Sequence, residues 1–194
     1  MGRKPHCRQH ILHAGLEVLA TKGYNGTGVK EIVDSAGVPK GSFYNHFSSK
    51  EAFVIEAIEL AAEEHLAAAK QQLLESPGSP IERLLRFFEQ QLTQLQEQSF
   101  CGGCLIGNLS LEMSDENPAI RKATDHIMDQ YVNLLARVIE QAKSEQLLKD
   151  TETDPHALAE FIQCAWEGTL MRLKTSRSCR AYHSFKAQIQ QLLS

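Results

Sequence analysis

The stretch Val29-Lys30-Glu31-Ile32-Val33-Asp34-Ser35-Ala36-Gly37-Val38-Pro39-Lys40-Gly41-Ser42-Phe43-Tyr44-Asn45-His46-Phe47 holds two short helical patterns on either side of a turn. Val29, Ile32, Val33 and Ala36 recur on one helix face, and Gly37 ends the run. Pro39 opens a second pattern, with Phe43 and Phe47 four apart on one face. The chain must reverse within Ala36–Pro39, and glycine takes positive φ without a Cβ penalty, so Gly37 suits the turn. Two short helices joined in this way describe a helix-turn-helix. The phenylalanines anchor the second helix, leaving Lys40, Ser42, Tyr44, Asn45 and His46 to meet solvent or a groove. Such a helix fits the DNA major groove, where short polar side chains reach base edges and Tyr44 and His46 reach phosphates.

The flanking sequence is helical as well. Ile11, Leu12, Gly15, Leu16 and Leu19 form a first stripe that Gly23 stops. Ser48, with Glu51 three residues on, reads as a capping box that opens a long helix through about Leu74. Ser76-Pro77-Gly78-Ser79-Pro80 interrupts the chain. Ser79-Pro80, Asn117-Pro118 and Asp154-Pro155 each set an N-cap residue before proline, predicting helices from near 80, 118 and 155. Leu105–Met113 fits a shorter helix and Tyr182–Leu193 a last one. Strand signals are nearly absent. The expected fold is all-α, about nine helices: an N-terminal three-helix DNA-binding head over 5–65, with its motif at about 29–48, and a C-terminal helical bundle over 66–194.

Charge placement agrees with a polyanion partner. The 194 residues carry a net −4, yet residues 1–50 hold seven Lys/Arg against three Asp/Glu, so that +4 there faces −8 on the rest. Hydrophobic residues are 42% and charged residues 23%, ordinary globular values. No run of eighteen apolar residues occurs, so no membrane span is expected. Basic Met1–His6 leads into no apolar segment, so neither is a secretory signal; a cytoplasmic location with five reduced cysteines is expected.

The segment Gly23-Tyr24-Asn25-Gly26-Thr27 through Ile32, then Ala36–Phe47 and Ser49-Lys50-Glu51, resembles the DNA-binding signature of the TetR family of one-component repressors. The resemblance implies a homodimer on a double-stranded operator, with the C-terminal bundle over 66–194 used for ligand sensing and dimerisation, and with no enzyme activity and no cofactor or metal. It places Lys30 and Ser42 at base contacts and Tyr44, His46 and Lys50 at phosphate contacts, with Lys40, Gly41 and Asn45 in the same motif. The family's Thr-Thr pair before the second helix is Thr27-Gly28 here, so Thr27 alone supplies that hydroxyl.

Phe100-Cys101-Gly102-Gly103-Cys104-Leu105 through Met113 is similar to a segment of family members that sense electrophiles such as N-ethylmaleimide, as is Leu173–Ser178. In that group a cysteine at the position of Cys104 is the sensor. Physically, Cys104 falls at a helix start, where unpaired N–H groups and the dipole favour thiolate. Cys101 could serve as a resolving thiol, and Lys174 could hold the thiolate. The other reading makes both cysteines small buried fillers, as free cysteines often are. Cys7, Cys164 and Cys179 read as structural, Cys164 on an apolar face beside Trp166. Phe100, Met113, Met128, Tyr131, Trp166 and Met171 are candidates to line an effector pocket, or else core. Phe161, Ala165 and Leu170 with Phe185, Ile189 and Leu192 are the expected dimer interface, a four-helix packing. Three rivals stand beside the electrophile sensor: a repressor with a noncovalent drug or metabolite, a metal sensor, and a thiol oxidoreductase using Cys101 and Cys104. The last lacks its usual βαβ setting, and no tight His/Cys spacing beyond Cys101–Cys104 supports a metal.

Overall fold

The computed structural model describes residues 5–148 and 152–193; Arg3 and Lys4 of the basic N-terminus lie outside them. Among the described residues the chain forms nine α-helices and no strand: α1 (Pro5–Lys22), α2 (Val29–Ser35), α3 (Lys40–Tyr44), α4 (Lys50–Lys70), α5 (Pro80–Glu97), α6 (Leu105–Met113), α7 (Pro118–Ser144), α8 (Pro155–Ser176) and α9 (Arg180–Leu192). A π turn, Gln71–Glu75, extends α4. The three proline-led helices begin at the expected residues because their caps are local. The Ser79 hydroxyl accepts from Glu82 N–H, the Asn117 side-chain oxygen accepts from Ala119 and Ile120 N–H, and the Asp154 carboxylate accepts from His156 and Ala157 N–H. None of these helices is long and apolar enough to cross a membrane.

The start of α4 departs from the sequence expectation. Ser49, not Ser48, caps it, accepting from Ala52 N–H at 3.0 Å. Glu51 instead accepts from the Asn117 side-chain amide. A long-range partner has taken the acid that the capping-box reading assigned locally. Phe47 also lies beyond the end of α3, although both it and Phe43 are buried as anchors.

The chain divides into two compact units: residues up to Glu64 with Leu105–Ile127, and His65–Cys104 with Met128 onward. α6 and the first turns of α7 belong with the DNA-binding head. In that first unit, Ile11, Leu19, Ile32, Phe43, Phe47, Phe53 and Ile58 form a closed core, with the Phe47 and Phe53 rings edge to face at 5.0 Å.

In the second unit, apolar faces of α5, α7, α8 and α9 converge on Phe88, Trp166 and Phe185, whose rings lie 4.8–5.2 Å apart. Buried Arg83 ties this bundle together at its end. It donates to the carbonyls of Leu73 (2.8 Å) and Gly78 (3.0 Å) and to the Gln141 side chain (2.6 Å), so the π turn's freed carbonyl does not go unmatched.

Candidate DNA-binding and effector sites

Within the first unit, the helix-turn-helix forms because both ends of its turn are supplied locally. Gly37 sits at φ +62°, and the Ala36, Gly37 and Val38 amides bond back to Ile32, Asp34 and Val33. Phe43 is fully buried, so the opposite side of α3 must face outward. Lys40, Gly41, Tyr44 and Asn45 are exposed there, and Ser42 and His46 are half-buried beside them. Lys40 makes no ion pair among the described residues. Lys30 is exposed but pairs with Asp34 at 2.7 Å, one turn on, which raises its pKa.

Two assigned residues stand differently from expectation. Thr27 is 1% exposed, and its hydroxyl donates to the Gly23 carbonyl at 2.6 Å. Its hydroxyl is therefore spent on the turn that ends α1. Lys50 lies 4.0 Å over the Tyr24 ring, and burial lowers its pKa. Arg8, beneath the same head, stacks on Phe47 and pairs with Glu56, so its charge is held inside the unit.

The turn after α1 is held by a residue that the sequence reading passed over. Glu112 of α6 accepts from Tyr24 N–H at 2.8 Å and from Asn25 N–H at 2.7 Å, one on each carboxylate oxygen. This carboxylate ties α6 to the head only two residues before the α1–α2 connection closes on Thr27. An acid at the last turn of a short helix gives no local signal of such a partner.

Within the second unit, Cys104 is half-buried and immediately precedes α6, as expected for a helix start. The thiol donates to the Glu167 carboxylate of α8, and Tyr131 of α7 faces both. The Tyr131 hydroxyl is 3.0 Å from His65 Nδ1, and Gln163, one turn before Glu167, donates to its carboxylate at 3.2 Å. Burial raises the Glu167 pKa from the ordinary carboxylate value, with the thiol's hydrogen bond opposing in part; burial likewise holds Tyr131 protonated. His65 stands exposed at the rim of this group, yet enough protein surrounds its ring to push its pKa below that of free imidazole.

Lys174 is exposed on the last turn of α8, with no hydrogen bond or ion pair among the described residues. Cys101 is exposed, with the Arg177 guanidinium 3.2 Å from its sulfur. Cys164 is exposed and not packed beside Trp166.

Among the other expected lining residues, Met128 is half-buried and takes the Gln163 amide on its sulfur at 3.8 Å, and Phe100 packs on the core at φ +57°. Trp166 is core: 3% exposed, stacked on Phe88, its indole N–H given to Gln91. Met113 is buried in the other unit, and Met171 is 54% exposed. His65, Gln163 and Glu167 were missed. An acid beside Trp166 within the apolar stripe of α8 was the available signal for the last of these.

The expected dimer residues divide. Leu170, Phe185 and Ile189 are spent in the protomer's own core. Phe161 and Leu192 are exposed and Ala165 is half-buried. On α8 the outward face runs through Phe161, Cys164, Gly168 and Met171, at helical spacing of three and four.

Two family models match the chain: bacterial regulatory proteins, tetR family, over residues 11–57, and tetracyclin repressor-like, C-terminal domain, over 80–189. The chain belongs to the TetR family of DNA-binding transcriptional regulators, whose members bind operators and small-molecule effectors and act as dimers. It is 34% identical to the transcriptional repressor DhaR of Mycobacterium sp. (strain GP1), over 92% of this chain and 87% of the relative. It is 30% identical to the repressor NemR of Escherichia coli (strain K12), over 96% and 94%. The crystal structure of the reduced form of E. coli NemR superposes with a TM-score of 0.90 at 28% identity, covering 97% of each chain. That of regulatory protein TetR from Rhodobacter sphaeroides gives 0.88 at 32%, covering 97% and 99%.

Proposed function

We propose that this chain is a cytoplasmic, homodimeric repressor that reads a palindromic operator through α3 and releases it when an electrophile modifies Cys104. The observation that carries the DNA half is the polarity of α3: Phe43 is fully buried, while Lys40, Tyr44 and Asn45 face outward around half-buried Ser42 and His46. A helix of this kind reads few base pairs, so a two-fold dimer is needed for a site of useful length. The exposed stripe Phe161, Cys164, Gly168 and Met171 of α8, continued by Leu192, supplies the apolar face for that dimer.

The switch follows from chain connectivity. Cys104 is the last residue of its stretch of the second unit and Leu105 the first of α6, whose Glu112 holds the turn after α1 in the first unit. The chain passes between the units three times: within α4, at Cys104–Leu105, and within α7. α4 is therefore not the sole covalent route, and the crossing at Cys104 is the shortest path from the thiol to the head. An adduct at Cys104 adds bulk in a packed bundle, which responds by repacking rather than by smooth deformation. A shift of the heads by a few Å moves α3 out of half-sites about one DNA turn apart.

The test uses a duplex selected from a random pool by the purified protein. N-ethylmaleimide releases that duplex from wild type and not from Cys104→Ser, while Cys101→Ser behaves as wild type. Release that persists in Cys104→Ser removes the thiol from the switch and leaves a noncovalent ligand as the effector.

A further inference from the structure

We propose that Tyr24 is a positioning residue for DNA binding: its ring holds the Lys50 ammonium where a phosphate of the operator meets it. This rests on the DNA-binding reading above, with Lys50 as one of its phosphate contacts, and it assigns a residue of the α1–α2 connection to that contact.

The geometry lies within the first unit. Lys50 opens α4 and is half-buried, and its Nζ stands 4.0 Å over the centre of the Tyr24 ring. The ring itself stands on fixed backbone. Gly23 before it turns at φ +70°. The Tyr24 N–H donates to one Glu112 oxygen at 2.8 Å and the Asn25 N–H to the other at 2.7 Å. The Tyr24 carbonyl accepts from Thr27 N–H at 3.2 Å. Glu51, the acid next to Lys50 in the chain, accepts instead from the Asn117 side-chain amide.

Other cations of this head are held by acids: Arg8 by Glu56, Lys22 by Glu31 and Lys30 by Asp34. A carboxylate in such a pair competes with an arriving phosphate for the same charge. The face of an aromatic ring attracts a cation without cancelling its charge. It covers one side of the ammonium and leaves the remaining N–H groups for a phosphate oxygen. It also restricts the long lysine stem before DNA arrives, so less rotamer freedom is lost on binding. Tyr24 thus acts through Lys50, without a contact of its own to the DNA.

The experiment measures binding of the full-length protein to the selected duplex over roughly 50 to 200 mM salt. Lys50→Ala lowers the salt slope and costs about tenfold per head near 0.1 M salt, the effect of one released counterion. Tyr24→Leu keeps an apolar side chain but removes the ring face, and lowers the slope by most of the same amount. Tyr24→Phe keeps the face and removes the hydroxyl, and stays within about twofold of wild type. In the Tyr24→Leu background, Lys50→Ala costs less than about threefold per head. A ring that only fills space in the head gives weaker binding with the slope intact, and a cost that multiplies with that of Lys50→Ala; either result overturns the proposal. So does a Tyr24→Phe protein as weak as Tyr24→Leu, which gives the role to the hydroxyl. Wild type supplies a check that needs no variant to fold. The ring current moves the Lys50 ε-methylene protons upfield of the range of exposed lysines, in the free protein and on the duplex, and an unshifted signal overturns the proposal as well. A Lys50→Ala protein that keeps the wild-type slope is a different result, and overturns the phosphate contact on which this proposal stands.

Discussion

Gly23→Ala tests the Glu112 clamp on the turn after α1, because the substitution acts on it twice. Gly23 sits at φ +70°, and a Cβ built there falls 2.5 Å from one carboxylate oxygen of Glu112. The left-handed backbone costs an alanine about 1 kcal/mol. The Cβ also displaces the carboxylate, whose flexible stem lets it move away cheaply but at the loss of its bonds to Tyr24 and Asn25 N–H. Charge-assisted bonds are worth about 1.5–3 kcal/mol each when shielded; for a half-buried carboxylate, about 1 kcal/mol each is appropriate. Gly23→Ala should therefore cost about 3 kcal/mol and Glu112→Ala about 2 kcal/mol. The double variant should also cost about 3 kcal/mol, since the bonds can be lost only once, leaving about 2 kcal/mol of non-additivity. Urea unfolding at one fixed protein concentration measures all four proteins, and amide exchange at Tyr24 and Asn25 localises the effect. A double variant that loses the full sum of about 5 kcal/mol would show that the carboxylate is not what the Cβ meets.

Other outcomes follow from the same geometry. Glu167 has a raised pKa, so the folded protein binds that proton more tightly than the unfolded chain, and wild type loses stability as pH rises from the ordinary carboxylate value through the raised one. Glu167→Gln should gain on wild type between pH 4.5 and 8 in thermal melts, and a constant gap would refute the assignment. Lys40→Ala and Lys50→Ala should each weaken binding to all duplexes and lower the salt slope by about 1; an unchanged slope would remove that lysine from the phosphate contacts. Phe161→Asp, on the exposed face of α8, should yield monomers in sedimentation at micromolar concentration, and an intact dimer would place the interface elsewhere.

Sequence alone determined what depends on neighbours a few residues away. The cap-and-proline pairs at Ser79, Asn117 and Asp154 set the starts of α5, α7 and α8, and the apolar run of Leu105–Met113 gave α6 its bounds. The helix-turn-helix was legible for the same reason: its glycine, proline and paired phenylalanines all act within eleven residues. The TetR family itself was readable from that segment.

Tertiary structure decided everything that pairs residues distant in the chain. Helical periodicity marks an apolar stripe but not which neighbour covers it, so Leu170, Phe185 and Ile189 read like Phe161 although they lie in the protomer's own core. Glu51 reads as a cap partner until Asn117, sixty-six residues away, takes it. Glu112 shows no local signal, and Glu167, an acid within the apolar stripe of α8, shows none of what it meets, because their partners, the amides of Tyr24 and Asn25 and the thiol of Cys104, come from elsewhere in the fold. The chemistry of Cys104 turned on this: a helix start implies a thiolate, whereas the packing of α8 sets a carboxylate beside the thiol. Local sequence fixes backbone dihedrals and caps, but a charge's environment is a sum over whatever the folded chain brings within a few Å.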